Sequence, residues 1–294
     1  MSSRKKILVL GSTGLIGHQV FNYLKDHSSH ELHNISYRKK LQTDTILLDA
    51  RCETSLVESV ANIAPDYIIN CIGVLIGSSK KDPENAIFLN AYMPHRLARL
   101  ADNINAKLIH ISTDCIFSGD KGGAYIETDE KDGVGTYAKT KGLGEVVSDK
   151  HLTLRTSVVG PELKNDGEEL FHWFMSQSGS ISGFTNAIWS GVTSIELAKA
   201  VKWSIEKNIT GLYHITNNAS ISKNNLLKLF KKYTKKDIGI TSIGGKNINK
   251  SFVDTRLLLD YEIPSYDQMI SEMVDLILKN RTLYSQYKIE DLDE

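Results

Sequence analysis

The chain has 294 residues, and its 35 basic and 35 acidic side chains cancel, which leaves no electrostatic footprint for nucleic acid or an anionic membrane surface. No apolar run approaches a spanning helix, and the four apolar residues before Gly11 are too few for a secretion signal, so a cytoplasmic protein is expected. Cys52, Cys71 and Cys115 lack C-x-x-C spacing and predict small core residues with no metal site and no disulfide frame.

In chain order, strand and helix patterns alternate through the first half. A strand over 6–10 runs into Gly11-Ser-Thr-Gly14-Leu-Ile-Gly17 and a helix over 18–26. Strands follow over 31–36, 67–71, 107–111 and 152–156, with helices over 55–64, 86–103 and 137–148 between them. This order predicts an α/β fold of Rossmann type, a doubly wound parallel sheet with crossover helices. After Gly160 the alternation weakens. Residues 162–183, with Phe171, Trp173 and Phe174, predict a smaller lobe, whereas 196–205 and 212–215 read as a helix and a strand returning to the sheet. The tail from Ile221 carries a helix, the Gly244-Gly245 turn and a charged end. The expected division is a dinucleotide-binding domain over 1–160, with 185–217 returning to it, and a substrate lobe over 161–294.

Three stretches carry the chemistry. The glycine turn between strand and helix lets backbone N–H groups and a helix N-terminus approach a pyrophosphate, which nominates Gly11, Thr13, Gly14, Leu15, Ile16 and Gly17 for a dinucleotide. Its G-x-x-G-x-x-G spacing favours a short-chain dehydrogenase arrangement. The strand over 107–111 ends in Ser112-Thr113-Asp114, where ligands of doubly wound sheets sit, and Thr113 is placed to hydrogen-bond a carbonyl. Tyr137 and Lys141 are one helical turn apart. A cation roughly 4–5 Å from a phenol stabilises phenolate by about 3.5–4 kcal/mol at an effective dielectric near 20, which predicts a Tyr137 pKa lowered from about 10 toward neutrality. After the second strand the chain reads Ser36-Tyr37-Arg38-Lys39-Lys40, with no acid to accept from a ribose 2′-hydroxyl and with Arg38 available for a 2′-phosphate, so NADPH is the expected cofactor.

These stretches, together with IINCIG at 68–73, LNAYMPHRLA at 89–98, LRTSVVGPE at 154–162 and WSGVTSIELAKAV at 189–201, resemble the extended short-chain dehydrogenases and, within them, the dTDP-4-dehydrorhamnose reductase family. The resemblance covers nearly the whole chain. It implies NADPH-dependent reduction of the C4 ketone of a nucleotide-activated 6-deoxyhexose, in the biosynthesis of a cell-surface polysaccharide precursor. Tyr137 would donate the proton, Thr113 would orient the oxygen, and Lys141 would lower the phenol pKa while binding the nicotinamide ribose. It further implies adenosine contacts from Asp49, Ala50, Cys71, Ile72 and Gly73, and substrate contacts from Trp189, Thr193 and Arg256. The segments NCIG, NAYMPHRLA and RTSVVGPEL look most like a sub-branch acting on UDP-linked N-acetyl-6-deoxy sugars. Asn249-Lys250-Ser251-Phe252 departs from the family in lacking an arginine-proline pair, which leaves the phosphate contacts open. The expected partner is the nucleotide sugar, and a homodimer is compatible with the resemblance. Two alternatives stand beside this reading: an epimerase or dehydratase retaining NAD, against which the Arg38 loop argues, and a non-catalytic regulatory subunit, against which the intact Thr113, Tyr137 and Lys141 argue.

Overall fold

Seven parallel strands form the centre of the molecule, in a computed structural model that describes residues 4–256 and 261–290. In chain order the first half contains β1 (Lys6–Leu10), α1 (Leu15–His27), β2 (Glu31–Ser36), β3 (Ile46–Leu47), α2 (Glu53–Ile63), β4 (Tyr67–Asn70), α3 (Ile76–Lys81), α4 (Pro83–Ala86), a π-helical turn (Ile87–Tyr92), α5 (Met93–Asn103), β5 (Lys107–Thr113), a 3-10 turn (Asp114–Ile116), α6 (Thr136–Leu143) and β6 (Leu152–Thr156). The second half contains β7 (Val158–Val159), α7 (Leu170–Ser176), β8 (Ser180–Phe184), β9 (Ala187–Trp189), β10 (Val192–Thr193), α8 (Ser194–Glu206), β11 (Gly211–His214), β12 (Ile221–Ser222), α9 (Lys223–Thr234), β13 (Gly239–Ile243), β14 (Ile248–Asn249) and α10 (Tyr266–Lys279).

The sheet order is β11-β6-β5-β4-β1-β2-β3, so the chain starts in the middle, winds out to one edge and returns to the other. Strand alternation divides the core: Ile7 and Val9 of β1 pack with α1, α8 and α10, while Leu8 and Leu10 pack with α2 and α5 on the opposite face. Burying Val20, Phe21 and Leu24 fixes α1 to its face, each worth about 1.5–3 kcal/mol of transfer free energy. Within 185–217, β9 pairs with β12 and β14 in a small three-stranded sheet, whereas α8 lies on α1 and β11 extends the main sheet beside β6. The lobe is completed by the β13–β8 pair, with α7, α9 and α10 packed around Phe171, Phe174 and Phe230.

Three sequence expectations shift. The helix expected over 137–148 stops at Leu143, because Gly144 caps it; a Cβ there would sit 1.9 Å from Asn90 O, so only glycine lets the chain turn inward. The helix expected over 86–103 is broken by the π-helical turn, which points Asn90 at the loop after β4: its side chain accepts from Val74 N (2.8 Å) and donates to Val74 O (3.0 Å). Cys52 is exposed at the start of α2 and is no core residue, while Cys71 and Cys115 are partly covered.

Candidate active site

The carboxyl ends of β1, β4 and β5 meet above the centre of the sheet. Gly11 adopts φ +77°, and the loop turns so tightly that a Cβ on Gly17 would lie 2.2 Å from Gly11 O. Gly14 starts α1 with no side-chain cap, which leaves first-turn N–H groups for an anion. His18 Nδ1 donates to Gly14 O at 2.7 Å, and burial lowers this imidazole to about 4, so it stays neutral beside the loop. Thr13, Leu15 and Ile16 are half-exposed on the rim of this cradle, and Cys71 and Ile72 form its floor, their backbone 3.1 Å from where a Gly11 Cβ would stand. Ile72 N donates to Asn70 Oδ1 at 3.1 Å, Gly73 follows, and burial pushes the Cys71 thiol up to about 12. The cradle is one that side chains would fill, so these residues fit a dinucleotide, whose hydride chemistry they would supply with a binding site.

Beyond β2, the Arg38 guanidinium lies 4.9 Å over the Tyr37 ring, with Arg51 at 5.9 Å from the same ring. Arg51, which the sequence reading missed, holds Asp49 through Nε to Oδ1 (3.0 Å) and Nη2 to Oδ2 (2.6 Å). That pair keeps the Asp49 carboxyl below its usual range, while Ala50 is buried beside it. This is an aromatic platform edged by two guanidiniums, with the Asp49 carboxylate already paired to one of them. Arg38→Ala is expected to weaken NADPH roughly 10- to 100-fold with little change for NADH, since a charge-assisted phosphate bond worth about 1.5–3 kcal/mol is lost from the former alone. Fluorescence titrations with both nucleotides check this, and equal weakening would assign Arg38 to a solvated loop.

Thr113 ends β5. Its hydroxyl donates to Asp114 Oδ1 (3.2 Å) and accepts from Cys115 N (3.2 Å), and it stands near the Tyr137 phenol, whose ionised form it favours. Strand alternation turns Ser112 the other way, where its Oγ donates to Glu145 at 2.7 Å. Lys141 Nζ donates to Ile111 O at 2.7 Å, and burial lowers this ammonium to about 8. Here the sequence expectation needs correcting. Tyr137 is raised above an ordinary phenol, burial being the main cause and the Cys115 side chain the next, while Lys141 Nζ is turned to Ile111 O. The phenol is therefore fully protonated at neutral pH and carries the proton that the developing alkoxide needs.

Next to the cluster, from Asp114 and Cys115 onward, lies a cavity of about 650 Å³ lined also by Ser157, Glu169, Trp189, Lys223 and Lys250, a volume within the range of small-molecule sites. Trp189 Nε1 donates to Ser157 Oγ (2.8 Å), so the indole is fixed as one wall. Burial pushes the Glu169 carboxyl up to about 8, although one of its oxygens accepts from Phe171 N (2.8 Å) and Gly160 N (3.2 Å). Neither Lys223 nor Lys250 has an ion-pair partner among the described residues, and Lys250 acts on buried Asp114 through space. Two sequence nominations lie elsewhere. Thr193 is buried and caps α8, its Oγ1 accepting from Glu196 N at 3.4 Å. Arg256 stacks 4.3 Å over Tyr213 and donates to Leu212 O at 2.8 Å, on the edge strand. Lys250 sits in the segment whose missing arginine-proline pair had left the phosphate contacts open.

A glycine cradle at the start of a doubly wound sheet, with Thr, Tyr and Lys at the end of β5 and on the following helix, defines a nicotinamide-dependent oxidoreductase of the short-chain dehydrogenase class. The chain belongs to the RmlD substrate binding domain family, which it matches over residues 5–248. It is 26% identical over 223 residues to dTDP-4-dehydrorhamnose reductase of Escherichia coli (strain K12), with 71% of each chain covered. It is likewise 26% identical over 222 residues to the spore coat polysaccharide biosynthesis protein SpsK of Bacillus subtilis (strain 168), covering 74% of this chain and 75% of that one. Its fold is similar to the crystal structure of dTDP-4-dehydrorhamnose reductase from Bacillus anthracis str. Ames in complex with NADP, with a TM-score of 0.81 at 20% identity over 93% of this chain and 100% of the other.

Proposed function

We propose that this protein uses NADPH to reduce the C4 ketone of a nucleotide-activated 6-deoxyhexose, in the making of a cell-surface polysaccharide precursor. The observation that carries the reading is the grouping of Thr113 at the end of β5 with Tyr137 and Lys141 of α6, whose Nζ reaches Ile111 O, beside the glycine cradle and next to a cavity lined from Asp114 and Cys115 onward. Bound NADPH supplies the hydride that the ketone carbon accepts. Tyr137 gives its phenolic proton to the oxygen, and Thr113 holds that oxygen in line by its hydroxyl. Lys141 binds the ribose of the cofactor and holds its positive charge beside the phenolate that remains. Trp189 walls the sugar, while Lys223 and Lys250 offer two cations to the diphosphate. On this reading 1–160 with α8 and β11 is the cofactor-binding part, and the remainder of 161–294 is the sugar-nucleotide lobe.

The nucleotide sugar is either dTDP-4-dehydrorhamnose or a UDP-linked N-acetyl analogue, and the assay is NADPH consumption with each. A missing hydrogen-bond partner costs roughly 10⁴ or more in specificity, so one should dominate. If neither keto sugar is reduced while a simple aldehyde or steroid is, the assignment is wrong and only fold and cofactor survive. A cytoplasmic location belongs to the same proposal; among the described residues no helix is long and apolar enough to cross a membrane.

A homodimer is part of it too. Val134, Leu143 and Val147, on and beside α6, are 82%, 69% and 63% exposed, an apolar group that a second copy would cover. Sedimentation should find a dimer that Leu143→Glu converts to monomer, and a monomeric wild-type protein would contradict it.

A further inference from the structure

Beneath the reacting cluster lies a buried charge network with no direct access to substrate or cofactor. Glu145 follows the Gly144 turn, four residues after Lys141, and its side chain is fully buried. One carboxylate oxygen accepts from Ser112 Oγ (2.7 Å) and Arg155 Nε (2.8 Å), and the other from Arg155 Nη2 (2.8 Å), with Lys131 Nζ at 3.2 Å. Arg155 lies flat over the Phe117 ring at 5.2 Å and donates through Nη1 to His214 Nε2 (2.7 Å). His214 in turn donates from Nδ1 to Val253 O (2.8 Å), three residues beyond Lys250. The Glu145 carboxylate thus joins the end of β5, the turn after α6, and β6. Through Arg155 it reaches β11 and the segment bordering the cavity.

A buried ion pair is an uncertain source of stability, because desolvation offsets its attraction. Its position here points to another use. Ser112 is the neighbour of Thr113, and Glu145 is the first of the groups that favour the charged form of Lys141. We propose that Glu145 is a positioning residue of the reductase site, its buried carboxylate clamping the strand end that carries Thr113 to β6 and to the turn that follows the Tyr137 helix. The inference rests on the reading of Thr113, Tyr137 and Lys141 as the reacting cluster.

The titratable groups facing Lys141 are Cys71 from the end of β4, His110 from β5, Glu145 and, one turn before it on its own helix, Tyr137, which burial keeps a phenol. Those facing Glu145 are Arg155, Lys131 and, across Arg155, His214. Burial holds His110 and His214 neutral and Cys71 as a thiol, so near neutral pH Glu145 is the one anion of the set. Lys141 is charged below its pKa and loses its proton as pH rises through it. Removing the anion therefore moves that loss to lower pH, and with it the alkaline limb of kcat.

The test follows Lys141 directly, by the pH titration of its side-chain ε-carbon in protein made with 13C-lysine, the resonance identified by its absence in Lys141→Met. Wild type should titrate near 8. Glu145→Gln should lower the midpoint by about 1–3 pH units, the usual effect of one nearby opposite charge. The double variant Glu145→Leu with Arg155→Met, which leaves neither member of the Glu145–Arg155 pair buried alone, should fold and show a downward shift as well. A merely structural Glu145 would lower the melting temperature of Glu145→Gln and leave the midpoint where it is, and an unchanged midpoint in either variant overturns the proposal. Because this readout needs no substrate, a failure of the 4-keto sugar assignment shows up separately, as wild-type protein that titrates normally but does not consume NADPH.

Discussion

Tyr137→Phe should lower kcat by roughly 10²–10⁴ while leaving NADPH affinity near wild type, the scale expected for one general acid. The substitution removes only the hydroxyl, so the Thr113 side chain keeps its bonds to Asp114 and Cys115 N. Lost is the hydroxyl that the mechanism uses as its proton donor. Because the phenol is raised by burial, the wild-type enzyme should show no loss of activity from Tyr137 ionisation below the point where Lys141, lowered to about 8, gives up its proton. Steady-state kinetics with a fluorescence titration of NADPH separates the terms, and near-normal kcat in the variant would remove Tyr137 from the chemistry.

Gly17→Ala should be as damaging, through the cofactor. A Cβ at this position would stand 2.2 Å from Gly11 O and 2.8 Å from Gly11 C, both backbone atoms, and Gly11 itself is wedged against the backbone of Cys71 and Ile72. No flexible side chain is available to move aside. Either α1 shifts away from β1 or the cradle opens, and a misplacement near 1 Å at a binding constellation costs about 100-fold. NADPH affinity should fall by at least that factor, and the overpacking should cost about 1–3 kcal/mol of stability. Gly14→Ala is the control: its nearest neighbour would be Gly11 O at 3.3 Å, which a small adjustment relieves. Equal affinities for Gly17→Ala and wild type would mean that the glycine turn is not where the pyrophosphate sits.

The main sheet was legible in the sequence because a parallel strand buried on both faces is written as an unbroken apolar run, as in Ile7 to Leu10 and Ile68 to Ile69. The lobe was not, because its strands are two to five residues long and their partners are distant: β13 pairs with β8 across more than fifty residues, and β14 with β9. α10 could have been found. Ser265 and Gln268 form a capping box just before Met269, Ile270, Met273, Val274 and Ile277, which recur at helical spacing. Thr113, Tyr137 and Lys141 were readable because a strand end and an i, i+4 pair are local patterns. The direction of the Tyr137 shift was not, since burial, its main cause, is a property of the packed fold. Lys250 and Arg51 were likewise invisible as site residues, one near the far end of the chain and the other defined by a partner two residues away.

The central claim, that hydride passes to C4 of a nucleotide-linked keto sugar, is tested most directly with NADPH deuterated at the reactive C4 position of its nicotinamide. The sugar product should carry one deuterium on its own C4, located by NMR, with one NADP formed for each ketone reduced. Product without deuterium, or sugar returned unreduced beside untouched NADPH, would contradict the account.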